Sequence, residues 1–489
     1  MSTGPRQVVD VNGTRYALGR QLGRGGQGAV YEVEGGRLAA KLVFDRSPSR
    51  RERLRNQLAQ VRRLPIEDLD IVRPLERLRD PHVGYVMERL TGMVPLGELA
   101  RAPRDVSLVP WYFSGGGLRR RLRLLGRVAE LLAQLHGRGL VYADPSPHNA
   151  FVSGAREDHE VRLIDADNLH HQSSPGAPGI YTPGYGAPEL VTGRGAVNTL
   201  TDTHAFAVIA FRVLAQVHPL LGDAVAFGDP EREEEALAGR LLWVDAPEDD
   251  SNRTSSGIPR ALVLSERLKE LFQQTFGPGL LQPMVRPGVA SWAERLHAAA
   301  DATLDCGGCG GTFYERAEAC PWCDEVKGPH VLAHFFLSDP AVLSCKACGT
   351  RYPVEDATCP GCREPRPPDV GRASLVRQPD ARRRRMARVV LTERQPLLVT
   401  ERLISGRIGK GSHVPRVEAR LEGDRLVLRS LDGAAYSLSS SSGARSGEVG
   451  ERSTRIRLEP RQESWRLHLG ELSRPHRIVG FELRTGGAA

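Results

Sequence analysis

The chain carries two groups of residues whose types and spacing can do chemistry. In LGRGGQGAVYEV, Gly23, Gly25 and Gly28 form a GxGxxG cluster with Val30 two residues on. Glycine lets a backbone approach phosphates closely, and its exposed amides can donate to phosphate oxygens. Alone, an ordinary glycine-rich hairpin explains such a cluster as well, and the absence of a helix directly after it argues against a dinucleotide fold. Lys41 in AAKLV follows thirteen residues beyond Gly28, where an ammonium can pair with nucleotide phosphates. Much later, LVYADPSPHNAFV supplies Asp144 and Asn149, five residues apart, and RLIDADN supplies Asp165. One carboxylate can take a proton from an acceptor hydroxyl, while an amide oxygen and a second carboxylate suit Mg²⁺, which prefers oxygen ligands.

The second group is the cysteines, all eight of which lie between Cys306 and Cys362. Cys306, Cys309, Cys320 and Cys323 recur as Cys345, Cys348, Cys359 and Cys362 at a constant offset of 39 residues, and Gly310/Gly349, Phe313/Tyr352 and Pro321/Pro360 keep the same offset. This internal repeat predicts two zinc ribbons. Four thiolates close a tetrahedral Zn²⁺ shell and leave no open position for catalysis, whereas redox CxxC pairs would not need the second pair in each unit.

The elements that must position these groups follow from periodicity. Alternation from Tyr16 to Tyr31 and from Leu38 to Phe44 predicts a strand-rich lobe; helical spacing from Leu118 to Leu135, Thr203 to Leu214, Ser265 to Phe276 and Val289 to Ala300 predicts a helical lobe. PRPP after the cysteines and RRRR at Arg382 to Arg385 suggest a basic linker, and short alternating runs with GD and DG pairs from Val389 to Leu483 predict antiparallel hairpins of a small all-β domain. The expected organisation is multidomain α+β, with a two-lobed domain over 1–300, ribbons over 303–326 and 342–365, a linker over 366–388 and a β-rich domain over 389–489.

In this order the first motifs resemble the eukaryotic-like serine/threonine protein kinases of bacteria, over about Tyr16 to Ala300. The resemblance extends to TPGYGAPEL, whose Ala187, Pro188 and Glu189 match the APE motif, to Asp202 at the start of the central helix, and to Arg286, matching the late arginine that pairs with the APE glutamate. It implies ATP-dependent phosphoryl transfer to protein serine or threonine hydroxyls. Asp144 would be the catalytic base and Lys41 the phosphate-orienting lysine. Asn149 and Asp165 would hold Mg²⁺, and Glu189 and Arg286 would form a structural ion pair. The nucleotide would lie against Gly23, Arg24, Gly25, Gly26, Gln27, Gly28 and Val30, with Met87 as gatekeeper and a hinge of Glu88, Arg89 and Leu90. Glu52 is the only acidic residue of the predicted helix that should offer Lys41 a partner, and a solvated surface charge explains it nearly as well.

The match departs from the family at three places. HRD reads Tyr142, Ala143, Asp144; the catalytic-loop lysine is Ser146; and DFG reads Asp165, Ala166, Asp167. The missing arginine removes a clamp for a phosphorylated activation loop, so phosphorylation there is not expected to be a required on-switch. Large Tyr142 and small Ala166 are expected to exchange volume. A bacterial subgroup with DxSPxN and DxD motifs is similar, and that narrower resemblance implies as partners a metal-dependent protein phosphatase and a von Willebrand A-domain protein of tellurium-resistance-type clusters. ISGRIGKGSH faintly echoes a forkhead-associated phosphopeptide-binding domain, without the supporting serine, histidine and asparagine positions in line.

Two other functions stay open on the sequence: a pseudokinase scaffold, and a zinc-ribbon regulator binding nucleic acid or protein. The net charge of +8 owes much to arginine, but a charge run is not by itself a nucleic-acid footprint. The N-terminal segment has no apolar core and Arg212 interrupts the most apolar helical stretch, so neither a signal peptide nor a membrane anchor is expected. Paired CxxC units suit a reducing compartment, and the expected location is the cytoplasm.

Overall fold

The computed structural model describes residues 6–26, 28–173, 181–338, 342–353, 356–366, 385–441, 445–471 and 475–485. Gln27 and most of the expected linker lie outside them. The chain divides into two compact units, residues 1–297 and 298–489.

The first unit begins with strands β1 (Gln7–Val9), β2 (Arg15–Arg24), β3 (Gly28–Val33) and β4 (Leu38–Val43), helix α1 (Pro48–Val61), and strands β5 (Pro74–Arg77) and β6 (Gly84–Glu88). The strands form one antiparallel sheet in the order β1-β2-β3-β4-β6-β5. Period-two alternation sends Ala39, Val43, Tyr85 and Met87 to the face covered by Leu54 and Leu58 of α1, and Ala40, Leu42 and Val86 to the opposite face with Val8 and Val33. Lys41 therefore shares the helix-covered face. Ser47 starts α1 by accepting from the Arg50 amide, and Pro48 occupies its first turn, where the missing N–H costs nothing.

Helices follow, among them α2 (Leu108–Ser114), α3 (Gly117–Gly137), α4 (Pro188–Val191) and α5 (Thr199–Ala215). A capping box between Asn198 and Thr201 opens α5. Phe206 of α5 meets Trp292 edge-on at 5.9 Å, Phe211 meets Phe272 and Phe276 edge-on at 5.1 and 6.4 Å, and Phe272 meets Trp292 at 4.8 Å. The helices expected around Ser265 to Phe276 and Val289 to Ala300 span Glu266–Phe276 and Val289–Asp301.

The second unit is a sandwich of two antiparallel sheets. One runs Arg385–Leu391, His330–Ser338, His476–Arg484, Glu463–His468, Tyr436–Ser440, Ser446–Val449; the other runs Leu397–Thr400, Pro415–Glu422, Arg425–Ser430, Thr454–Arg457. Alternation again sorts the residues: Val331, Ala333 and Phe335 enter the core with Val417, Ala419 and Leu421, while Leu332 and Val390 face outward onto Cys306, Phe313 and Cys320. The segment between the two cysteine units, which the sequence reading gave to no domain, is thus an interior strand of the C-terminal sheet, and the first cysteine unit packs on that sheet's outer face.

Candidate active site

Two glycine roles separate in the β2–β3 hairpin. A Cβ on Gly28 would lie 2.3 Å from the Leu42 carbonyl oxygen, so this glycine is required by the close approach of β4. Gly23, Gly25 and Gly26 face open space, and the Gly25 amide closes the turn by donating to Gly28 O at 2.9 Å. Beside them, the Arg24 guanidinium lies over the Phe44 ring at 4.8 Å.

Lys41 stands on β4 directly opposite Val30 on one side and Tyr85 on the other. Its Nζ donates to Asp165 Oδ1 at 2.8 Å and lies 3.7 Å from Asp167 Oδ1. Burial works against its charge, but the carboxylates of Asp167 and Asp165 outweigh that and hold its pKa above the ordinary value. Glu52, the expected helix partner, is exposed. The helix puts its apolar residues Leu54, Leu58 and Val61 inward instead, and Lys41 takes its counter-charges from Asp165 and Asp167.

The segment from Tyr142 to Asn149 is fixed from below. Ala143 has φ 82°, a left-handed conformation unusual for a residue with a Cβ. Asp202 of α5, fully buried, accepts from the amides of Tyr142 at 2.7 Å and Ala143 at 3.0 Å and contacts His136 Nε2 at 3.0 Å. Tyr142 is 2% exposed, and its hydroxyl donates to Ile164 O. Ala166, where the family has a phenyl ring, is also fully buried.

Asp144 then projects a carboxylate whose Oδ1 accepts from the Thr182 amide at 2.7 Å and the Thr182 hydroxyl at 2.8 Å. Burial raises its pKa, the Thr182 hydrogen bonds pull it back, and the negative charges of Asp165 and Asp202 add to the rise. Asn149 donates its amide N–H to Asp144 O at 3.0 Å, which fixes its side chain beside Asp144. Its backbone carbonyl accepts from Ile164, joining this segment to the Asp165 turn at 2.9 Å. Asp165 itself has φ 57°. Thr182 and Asp167 are site residues that sequence reasoning missed; TPGYGAPEL and the second aspartate of DAD were on view, but their partners lie far away along the chain.

At the edge of the site, Met87 is buried opposite Ala39, and the Arg89 amide is engaged with Arg37 O at 3.0 Å. Leu90 and Val30 pack against the same apolar cluster as Met87. Glu88 ends β6 with an exposed side chain. Glu189 and Arg286 meet in a two-pronged pair, Nη1 to Oε1 at 2.6 Å and Nη2 to Oε2 at 2.8 Å, and Arg286 also donates to Gly279 O and Leu200 O.

In the second unit, each cysteine quartet brings its four sulfurs within 4.8 Å of one another. The Cys306–Cys323 and Cys309–Cys320 sulfurs are 3.5 and 3.7 Å apart, and Cys345–Cys362 and Cys348–Cys359 are 3.5 and 3.6 Å apart. A tetrahedral zinc with Zn–S bonds of about 2.3 Å requires sulfurs about 3.8 Å apart. The donor set fits that ion. Disulfides would need about 2.05 Å. Gly310 and Gly349 follow the second cysteine of each unit with φ 69° and 74°, the conformation that turns the chain under a metal.

Comparison with known proteins adds to this geometry. Serine/threonine-protein kinase pkn2 of Myxococcus xanthus is 28% identical over 221 residues, covering 42% of this chain and 25% of that protein. DNA damage-responsive serine/threonine-protein kinase RqkA of Deinococcus radiodurans is 29% identical over 285 residues, 53% of this chain and 40% of its own length. Serine/threonine-protein kinase PkaB of Streptomyces coelicolor is 29% identical over 236 residues, 43% and 51% respectively. Bacterial serine/threonine protein kinases are among the chain's relatives. The chain spans between a quarter and about half of the length of these three. No family model matches it. Among the described residues, no helix is long and apolar enough to cross a membrane.

Proposed function

We propose that this chain is a cytoplasmic protein kinase with a two-lobed kinase fold over about residues 1–300, transferring the γ-phosphoryl group of ATP to serine or threonine hydroxyls of proteins. The observation that carries this is the convergence of Lys41, Asp144, Asn149 and Asp165: Lys41 reaches Asp165 at 2.8 Å, and Asn149 reaches the Asp144 backbone at 3.0 Å. The open space over Gly23, Gly25 and Gly26 lets phosphates approach the hairpin backbone closely, and Lys41 orients them. Asp144 accepts the proton of the attacking hydroxyl, and Thr182 holds that carboxylate's direction. Phosphoryl transfer needs little beyond positioning and charge stabilisation, so these few groups suffice. Asn149 and Asp165 would hold Mg²⁺, which when bound neutralises charge on the phosphate oxygens. Ser146 supplies no positive charge near that group, which leaves more of the charge stabilisation to Lys41 and the metal.

In the second unit the two cysteine quartets are read as structural zinc ribbons, with a closed thiolate shell and no catalytic part. The test of acceptor chemistry is phosphoamino-acid analysis of cell lysate labelled by the full chain with γ-labelled ATP. Label on phosphoserine or phosphothreonine supports the reading; no transferred label rejects it.

A further inference from the structure

We propose that Asp167 is the residue that fixes Lys41 for nucleotide binding, in the place an acidic side chain of α1 would otherwise serve. This rests on the kinase reading above. Lys41 lies on the sheet face that α1 covers, so a helix carboxylate could in principle reach it. Yet α1 has one acidic residue, Glu52, and it is exposed. On the inward side, at helical spacing with Leu54, Leu58 and Val61, the polar residue is Gln57, whose side-chain oxygen is buried, neutral and without a hydrogen-bond partner. The helix contributes no negative charge to this face, and Arg50 near its start adds a positive one.

The charge arrives from the turn at 166–168, against which α1 packs. Asp167 is 4% exposed and its carboxylate is 3.7 Å from Lys41 Nζ. The Tyr85 hydroxyl donates to the same Oδ1 at 3.4 Å, and Tyr85 is the residue directly opposite Lys41 in the β4–β6 register. Asp167 is thereby held by two neighbouring strands at once. Asp165 is closer to Lys41, but its side chain is 30% exposed, against 4% for Asp167, and it is the residue assigned to magnesium. Once a cation draws on Asp165, Asp167 remains as the buried counter-charge. A buried carboxylate is retained in such a place only if it is paired, and Lys41 is the cation that pairs it. The second aspartate of the DAD motif is therefore a positioning residue rather than a relic of a lost glycine.

A double-mutant cycle in the full chain tests this. Mg·ATP affinity is measured by calorimetry for wild type, Lys41→Met, Asp167→Asn and the double variant. If Asp167 acts through Lys41, Asp167→Asn weakens binding by about tenfold in the wild-type background and by less than about twofold in the Lys41→Met background. Equal losses in both backgrounds, or no loss in the single variant, overturn the proposal. If the wild type itself binds no ATP, it is the kinase reading that fails, and the pair is then judged by thermal unfolding. That comparison also serves if Asp167→Asn alone does not fold. Lys41→Met leaves the Asp167 carboxylate buried without its cation, so adding Asp167→Asn raises the melting temperature above that of Lys41→Met; a further fall overturns the proposal.

Discussion

The Asp202 carboxylate, buried at the start of α5, accepts the amide hydrogen of Ala143, which is held at φ 82° immediately before Asp144. A left-handed alanine costs about 1–2 kcal/mol and persists only where its surroundings hold it. Asp202→Ala removes the acceptor for two buried amides, so it should lower stability by about 3 kcal/mol in urea unfolding. Phosphoryl transfer should fall by at least about tenfold while ATP affinity stays within about twofold, because the base and not the nucleotide cleft is displaced. Wild-type stability and rate in this variant would remove Asp202 from the account.

The Glu189–Arg286 pair predicts a different signature. Arg286 has no exposed side-chain surface and anchors two backbone carbonyls besides Glu189. Glu189→Gln leaves the guanidinium short of its counter-charge and should cost about 3–5 kcal/mol, read from the urea midpoint at constant slope. A cost below about 1 kcal/mol would mean the pair behaves as a surface bridge.

His218 predicts acid sensitivity. Its Nε2 donates to Gly184 O at 2.8 Å while Nδ1 accepts from the Leu220 amide at 3.1 Å, so the neutral ring satisfies both nitrogens. Burial pushes its pKa down from 6.5 to about 4. Between those values the unfolded chain binds the extra proton and the folded chain does not, so stability is full above pH 6.5 and is lost as pH falls toward 4. His218→Gln should shrink the loss of unfolding free energy between pH 7 and pH 5 by about 2 kcal/mol. His204, buried on α5 with its pKa also depressed by desolvation, keeps part of the acid sensitivity in that variant. An unchanged pH profile contradicts the assignment.

Elemental analysis should find two zinc ions per chain, and Cys306→Ser or Cys345→Ser should each remove about one. Chelation with magnesium restored should spare ATP binding in the same sample. A zinc-free protein with intact cysteines would sink the assignment.

The legible part of this protein is what local spacing fixes. Asp144 and Asn149 sit one turn apart in a loop that can be read without its surroundings, and the cysteine repeat needs only counting. The period-two alternation that makes β4 also placed Lys41 on a strand. The partner of Lys41 was not legible, because Asp165 and Asp167 lie 124 and 126 residues away in sequence and the helix expected to supply a carboxylate turns apolar residues inward. Thr182 escaped for the same reason: its contact with Asp144 spans 38 residues. The strand His330–Ser338 did carry a signal, since Val331, Ala333 and Phe335 alternate with residues of the other face. The flanking cysteine units masked it, and its partner strands, at Arg385–Leu391 and His476–Arg484, are distant in sequence.

The central claim is that this chain transfers phosphoryl groups through Asp144. The most direct measurement compares γ-labelled ATP turnover onto protein by the purified full chain and by Asp144→Asn, which keeps the shape of the side chain but cannot take the proton. The account predicts transfer by the wild type and a fall of at least about a hundredfold in the variant, with ATP affinity within about threefold of wild type. Equal transfer by both proteins, or none by the wild type with ATP bound, would contradict it.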